Sequence, residues 1–187
     1  MDDKRRIHAR TAQHGPSFLV RSGSIAEARR GGGYARLRIE LATDLLAPEP
    51  GQFLMVRFPW GPALPRAFST LSARDGEIEL LIREDGLLRE ALAAAPRGAT
   101  VDVRGPYGVP YVDRIDRGRT YVLVGGGSGV APLLHFANSF PNLVAALALG
   151  FRTSGARRLL PEADLAVEEE TGLTAEDRLR AAWHDGL

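Results

Sequence analysis

The chain has 187 residues, 44% apolar and 25% charged, with a net charge of +1; this is near the globular average and suits one large domain or two small ones sharing an interface. No stretch approaches the roughly 20 uninterrupted apolar residues of a membrane span. The mixed-charge start Met1-Asp2-Asp3-Lys4-Arg5-Arg6 lacks the apolar run of a secretory signal, so a cytoplasmic chain with no membrane partner is expected, and the absence of cysteine excludes disulfides, thiolate zinc sites and cysteine-ligated iron–sulfur clusters within these residues.

The first half reads as strands. Phe18 to Ile25 is a candidate first strand and Ala28 to Gly33 a loop. Tyr34 to Leu41 alternates apolar and charged residues, the period of a half-buried strand. Phe53 to Phe58 is a denser apolar run opened by Pro50-Gly51. Arg66 to Leu71 and Glu77 to Ile82 follow, separated by a turn with an Asp75-Gly76 signal. Leu87 to Ala95 is the one helix signal here, ended by Pro96-Arg97-Gly98. Thr100 to Val103 is a further strand, closed by Gly105-Pro106-Tyr107-Gly108. Short strands at regular spacing with one helix predict a small antiparallel barrel.

The pattern changes after Asp116-Arg117-Gly118. Thr120 to Val124 reads as a buried strand, Val130 to Phe140 as an apolar helix and Leu143 to Leu149 as a second buried strand. Asp164 to Glu168 is a third strand and Thr174 to Trp183 a last helix. Apolar strands alternating with helices predict a parallel sheet. The expected division is therefore residues 15–116, a barrel, and residues 117–187, an α/β unit.

From Pro161 onward eight acids face two bases, so this segment carries −6 and the first 160 residues +7. A basic body suits phosphate-bearing molecules, anionic lipid or nucleic acid. All but one of the 24 basic residues are Arg, the residue for bidentate phosphate contacts. The plainer reading of most of them is solvated surface. No RNA-binding aromatic motif, Cys/His finger or isolated basic helix is present, so no nucleic-acid partner is expected. The four histidines are scattered without metal-ligand spacing, and no metal site is expected.

Two stretches can carry chemistry. Gly125-Gly126-Gly127-Ser128-Gly129, followed by Val130-Ala131-Pro132, joins a strand to a helix. Such glycines let backbone N–H groups approach a diphosphate, and the helix start adds partial positive charge. Pro132 fits the first turn of a helix. Val130 stands where a Rossmann pattern has its third glycine, and the lysine of a P-loop is missing. The alternative is a tight strand-to-helix turn without a ligand. The second stretch is Pro65-Arg66-Ala67-Phe68-Ser69-Thr70. Arg66 could pair with a phosphate, Phe68 could stack on a planar ring and Ser69 could hydrogen-bond a ring edge. Strand alternation sends Arg66 and Phe68 to one face and Ala67 and Ser69 to the other.

The order of these pieces, Pro50-Gly51-Gln52-Phe53, Arg66-Ala67-Phe68-Ser69, Gly105-Pro106-Tyr107-Gly108 and then Gly125 to Pro132, resembles the ferredoxin–NADP reductase superfamily over residues 15 to 153. Within it, Gln52-Phe53-Leu54-Met55-Val56 and Gly150-Phe151-Arg152 most resemble the electron-transfer subunit of NAD-dependent dihydroorotate dehydrogenase. The resemblance implies a Greek-key FAD barrel followed by a shortened parallel-sheet nucleotide-binding domain. It implies that Arg66 contacts the FAD diphosphate and that Ala67, Phe68 and Ser69 meet the isoalloxazine. Leu81, Ile82 and Arg83 would line the ribityl and adenine side, and Gly86 would open a helix facing the diphosphate. Gly125, Gly126, Gly127, Ser128 and Gly129, with Pro132 behind them, would receive the diphosphate of NAD(H) or NADP(H). Arg152 is the candidate to read a 2′-phosphate. The flavin and nicotinamide would carry the redox chemistry, so no catalytic side chain is implied.

The sequence departs from the superfamily at three places. Gly86 is followed by Leu87-Leu88 where a hydroxyl residue is usual. Only three parallel strands fit after Thr120, and the late Cys-Gly-Pro strand is missing. The cysteine-rich segment that holds a [2Fe–2S] cluster is absent, so no iron–sulfur cluster is expected. The expected function is FAD-dependent transfer of electrons between NAD(P)H and a partner protein subunit. The alternative is a non-catalytic relic that binds a nucleotide or partner for regulation or assembly. A short sheet would leave an unpaired edge, which invites a partner chain or a homodimer.

Overall fold

The computed structural model describes residues 20–41, 47–74 and 76–160. Six strands close into a barrel in the order β1-β2-β5-β4-β3-β6. They are β1 (Arg21–Gly31), β2 (Tyr34–Leu41), β3 (Phe53–Arg57), β4 (Arg66–Arg74), β5 (Glu77–Arg83) and β6 (Thr100–Tyr107). All neighbours are antiparallel. β3, β4 and β5 form a meander, and the chain returns through helix α1 (Gly86–Ala94) to lay β6 beside β3. That is Greek-key order.

Period-2 alternation builds the interior. In β2, Ala35, Leu37 and Ile39 are buried between half-exposed neighbours. Leu54 and Val56 of β3, Ile78, Leu80 and Ile82 of β5, and Val101 and Val103 of β6 meet them in one core. Helix α1 closes one end of this core with Leu88 and Leu92, and Trp60 Nε1 donates to the Ala91 carbonyl at 2.9 Å.

Two expectations are corrected here. Residues 28–31 are not loop: β1 continues to Gly31, and the turn is only Gly32-Gly33, with φ of 57° and 79°. Two successive left-handed residues make the hairpin turn whose twist matches its strands. Arg29 and Arg30 are exposed, so no apolar alternation announces this part of the strand. Likewise β6 does not stop at Val103. A register shift against β3 between Phe53 and Met55 keeps the chain paired as far as Tyr107. Gly105 (φ +134°) sits at that shift, where a Cβ would come within 2.9 Å of Leu54.

The second unit is a parallel pair, β7 (Tyr121–Gly126) and β8 (Val144–Gly150), with helix α2 (Val130–Ser139) between them in the chain and the short helix α3 (Ser154–Arg157) after them. Leu147 and Leu149 pack with Val130, Ala131 and Leu134 of α2. The other face is open. Val122 and Val124 are 59% and 39% exposed, and their partners Ala146 and Ala148 are exposed too. These strands were expected to be buried. Among the described residues only one face carries a helix, and apolar parallel strands are buried only when both do. The third strand (Asp164 to Glu168) and the last helix (Thr174 to Trp183) lie outside the described residues, as do Phe18, Leu19 and Asp75.

The two units share a core. Leu71 and Leu81 of the barrel pack with Val130, Ala131 and Leu134 of α2 and with Leu159. Arg36 Nη1 donates to the Leu159 carbonyl at 3.1 Å, and the Thr153 hydroxyl donates to the Gly32 carbonyl at 3.0 Å. Gly155 meets Gly32 backbone to backbone; a Cβ on Gly155 would lie 2.7 Å from the Gly32 nitrogen. Among the described residues, no helix is long and apolar enough to cross a membrane.

Candidate functional site

The first half of the site lies where β4 begins and β5 ends. Arg66 opens β4 with its guanidinium at the surface, and Nη1 donates to Asp85 Oδ1 at 2.9 Å. Asp85 is the residue before Gly86, the first residue of α1. Gly86 takes φ +40°, and a Cβ there would meet nothing within 4 Å. No side chain caps this helix start. An arginine and an open helix start therefore stand together, which is the chemistry that receives an anion. Asp85 is the discordant member, since its carboxylate occupies the guanidinium that a phosphate would need.

The approach to α1 is anchored by Glu84, which is buried and ion-paired with Arg30. Its hydrogen bond holds the Arg30 guanidinium above its ordinary pKa. The Glu84 amide donates to the Gly33 carbonyl at 2.9 Å. The β1–β2 turn and the start of α1 are thereby tied together.

Two aromatic rings lie beside Ser69. The register places Ser69 opposite Phe53, and Phe53 opposite Tyr107. The rings of Phe53 and Tyr107 stand 5.7 Å apart, tilted by 36°. Phe68 behaves differently. It is half-buried opposite Leu54, packed against the barrel core and in edge contact with Phe58 at 6.2 Å. The two-face reading of this strand agrees with these pairings. Met55 stands opposite Ala67, in line with the Phe53 and Ser69 face.

The second half is the glycine loop. Gly125 and Gly126 end β7, Gly127–Gly129 form one tight helical turn and α2 starts at Val130. Two glycines are demanded by the protein's own packing. A Cβ at Gly125 would lie 2.6 Å from Leu133 Cδ1, and Gly127 has φ +58° with the Tyr34 hydroxyl 2.8 Å from where its Cβ would be. Gly126 and Gly129 are not so constrained. The nearest atom to a Cβ at Gly126 is 3.7 Å away, and Gly129 has nothing within 4 Å. Both are exposed and neither has a positive φ. A tight turn alone explains two of these glycines, and the other two leave the loop backbone open to solvent. Pro132 is the third residue of α2, where a missing N–H costs no helical bond.

Of the other expected residues, Leu81 and Ile82 have buried side chains, Leu81 in the core shared with α2 and Ile82 in the barrel core. Their backbone and the exposed Arg83 remain to line a ligand. Arg152 is exposed just after β8. Tyr34, Asp85 and His135 carry no motif that flags them. Tyr34 forms an edge contact with Phe151 at 5.8 Å beneath the loop. Phe53 and Tyr107 lie in two of the segments that carry the family resemblance, Pro50 to Phe53 and Gly105 to Gly108, although that reading assigns neither ring a role. His135, in α2, is buried with Nδ1 2.9 Å from the Thr70 hydroxyl. Burial first, and the Arg74 cation second, push its pKa down to about 4, so the ring is neutral. Among the described residues, no three acidic or histidine side chains gather where a metal ion could sit.

This geometry meets independent comparisons. Residues 32–111 match the oxidoreductase FAD-binding domain, a stretch that runs from the β1–β2 turn past the end of β6. The resemblance to the ferredoxin–NADP reductase superfamily holds. Among curated proteins, the chain is 32% identical over 105 residues to the electron-transfer subunit of dihydroorotate dehydrogenase B (NAD(+)) of Caldanaerobacter subterraneus subsp. tengcongensis, covering 56% of this chain and 42% of that protein. It is 45% identical over 86 residues to the probable counterpart in Methanopyrus kandleri, covering 46% and 31%. The matched stretch thus covers less than half of each of these relatives. Among solved structures, the Amycolatopsis cytochrome P450 reductase GcoB superposes with a TM-score of 0.64 at 26% identity, over 78% of this chain and 46% of that one. Phthalate dioxygenase reductase shares the fold at 19% identity, with a TM-score of 0.63 over 83% and 53%.

Proposed function

We propose that this chain binds FAD on its barrel and passes electrons between NAD(P)H and a partner protein. The observation that carries the reading is the meeting of Arg66 with the open start of α1, inside the stretch that matches the FAD-binding family. Arg66 and the first amides of α1 would hold the flavin diphosphate. The row of Ser69, Phe53 and Tyr107 would border the isoalloxazine, with Ala67 beside it and the Arg83 side reaching toward the ribityl and adenine. Gly126 and Gly129 would let the nicotinamide diphosphate rest on the loop backbone, and Gly125, Gly127 and Ser128 would shape that loop. When bound, FAD would supply the redox step, accepting a hydride from NAD(P)H and releasing two electrons to the partner and one proton to solvent. The side chains bind, orient and exclude water; none has to take up a proton.

The partner is inferred from the relatives, which are named as electron-transfer subunits. A second reading, a module that binds a partner without flavin, is favoured by the Asp85 carboxylate already paired with Arg66. The test is to mix the purified chain with excess FAD, remove free flavin and record the visible spectrum. Retention of a stoichiometric flavin band supports the flavoprotein. A colourless protein leaves the second reading.

A further inference from the structure

We propose that His135 is a positioning residue: its buried bond to Thr70 fixes the glycine loop and α2 against the strand that carries Ser69. The inference rests on the functional reading above. Thr70 directly follows Ser69 in β4, and His135 lies in the second turn of α2, the helix that begins where the loop ends. One short polar bridge therefore joins the strand expected at the flavin edge to the helix expected behind the dinucleotide. Both groups are almost wholly enclosed, at 1% and 5% exposure.

Packing alone does not call for this pair. The adjoining core is apolar, built from Leu71, Val130, Ala131 and Leu134, with the Arg74 cation acting on the ring from outside it. A buried polar pair adds little net stability over well-packed apolar residues, yet costs much when one partner is removed. What a hydrogen bond adds is direction. Apolar side chains tolerate a small slide or rotation of a helix on a sheet, whereas a bond at 2.9 Å does not. The strand is shaped for it. A register shift between Thr70 and Ser72 lets the adjacent residues Thr70 and Leu71 both be buried, Leu71 in the core shared with α2. Such irregularities re-aim side chains. The ring is neutral, so the bridge is an ordinary hydrogen bond with no net charge to screen. Hydrogen bonds of Arg36 to Leu159 and of Thr153 to Gly32 also join the units, but neither involves a residue of α2, and the edge contact of Tyr111 with Phe136 of α2 is apolar.

Hydride transfer is steep in distance and angle, so a small misplacement slows the step without weakening cofactor binding. The test uses the full chain loaded with FAD and mixed anaerobically with NADH. Thr70→Val and His135→Leu should each slow flavin bleaching at saturating NADH by about tenfold or more, with flavin content unchanged. The double variant should be no slower than either single one, because both remove the same bond. His135→Asn, which keeps a nitrogen near the Nδ1 position, should restore most of the rate. A second readout does not depend on flavin. Amide hydrogen exchange at Gly127 to Gly129 should quicken in both single variants relative to Leu37 and Leu80 in the barrel. Unchanged bleaching with unchanged exchange, additive losses, or equal quickening across the barrel would overturn the proposal. If the unmodified chain takes up no FAD, the functional reading fails by itself, and the exchange comparison still decides the role of His135.

Discussion

The barrel and the β7–β8 unit are built from similar apolar strands and differ in how they are enclosed. The barrel has no free edge, and Leu37, Ile39, Leu54 and Leu80 are wholly buried within it. The β7–β8 pair leaves Val122, Val124, Ala146 and Ala148 exposed on one face among the described residues, and it leans on the barrel through α2, Leu71 and Leu81. The difference separates roles. The barrel supplies a rigid frame with Arg66 and the open start of α1 together at one end. The second unit supplies a loop whose placement depends on what the barrel offers to α2.

Core substitutions sharpen that contrast most. Leu80→Ala should cost about 2–5 kcal/mol by denaturant unfolding, because a closed barrel cannot collapse around the cavity. Val122→Ser, on the open face, should stay within about 0.5 kcal/mol. Equal losses at the two positions would mean that Val122 is covered in solution and would break the comparison.

Acid tests the seam between the units. His135 has a folded-state pKa of about 4 against an ordinary 6.5, so the unfolded chain binds the proton more readily. Stability from this group is complete above about pH 6.5, falls as pH drops toward 4 and levels off below that, a loss of about 3 kcal/mol. His135→Asn should lack this component when unfolding is measured across the same range. Parallel pH profiles for the two proteins would mean the ring is not held neutral by burial.

Arg66 and the start of α1 give the next effects. Arg66→Ala should weaken FAD binding by about 1.5–3 kcal/mol in a fluorescence titration, the worth of a hydrogen bond to a charged group. An unchanged affinity would make Arg66 a plain surface residue. Asp85→Asn should act in the opposite direction and more weakly, tightening FAD by up to about 1 kcal/mol, since exposed ion pairs are worth little. The gain should fade as salt is added. Weaker binding in this variant would show that Asp85 helps to hold the ligand.

Much of the barrel was legible because its strands are half-buried. Tyr34 to Leu41 alternates cleanly, and the observed β2 has those bounds. Where both faces are polar or the backbone is irregular, the signal fails. Arg29 and Arg30 sit in an exposed part of β1, and β6 continues through Gly105 and Pro106 only because its register against β3 shifts. The burial of β7 and β8 was misjudged because an apolar run reports what a strand can bury, not what covers it. In the site, the glycine loop announces itself as a local motif, whereas Arg66 and Gly86 gain their roles only from the order of the motifs along the chain. Asp85 beside Arg66, Tyr34 under Gly127 and His135 against Thr70 pair residues far apart in the chain, and no local pattern encodes such meetings.

The most direct measurement is an anaerobic titration of the FAD-loaded chain with NADH and then NADPH, followed at the flavin's visible band. Bleaching by at least one of the two, to a stoichiometric endpoint, is the expected result. A bound flavin that neither nucleotide bleaches would contradict the claim that the Arg66 end of the barrel and the glycine loop serve one electron path.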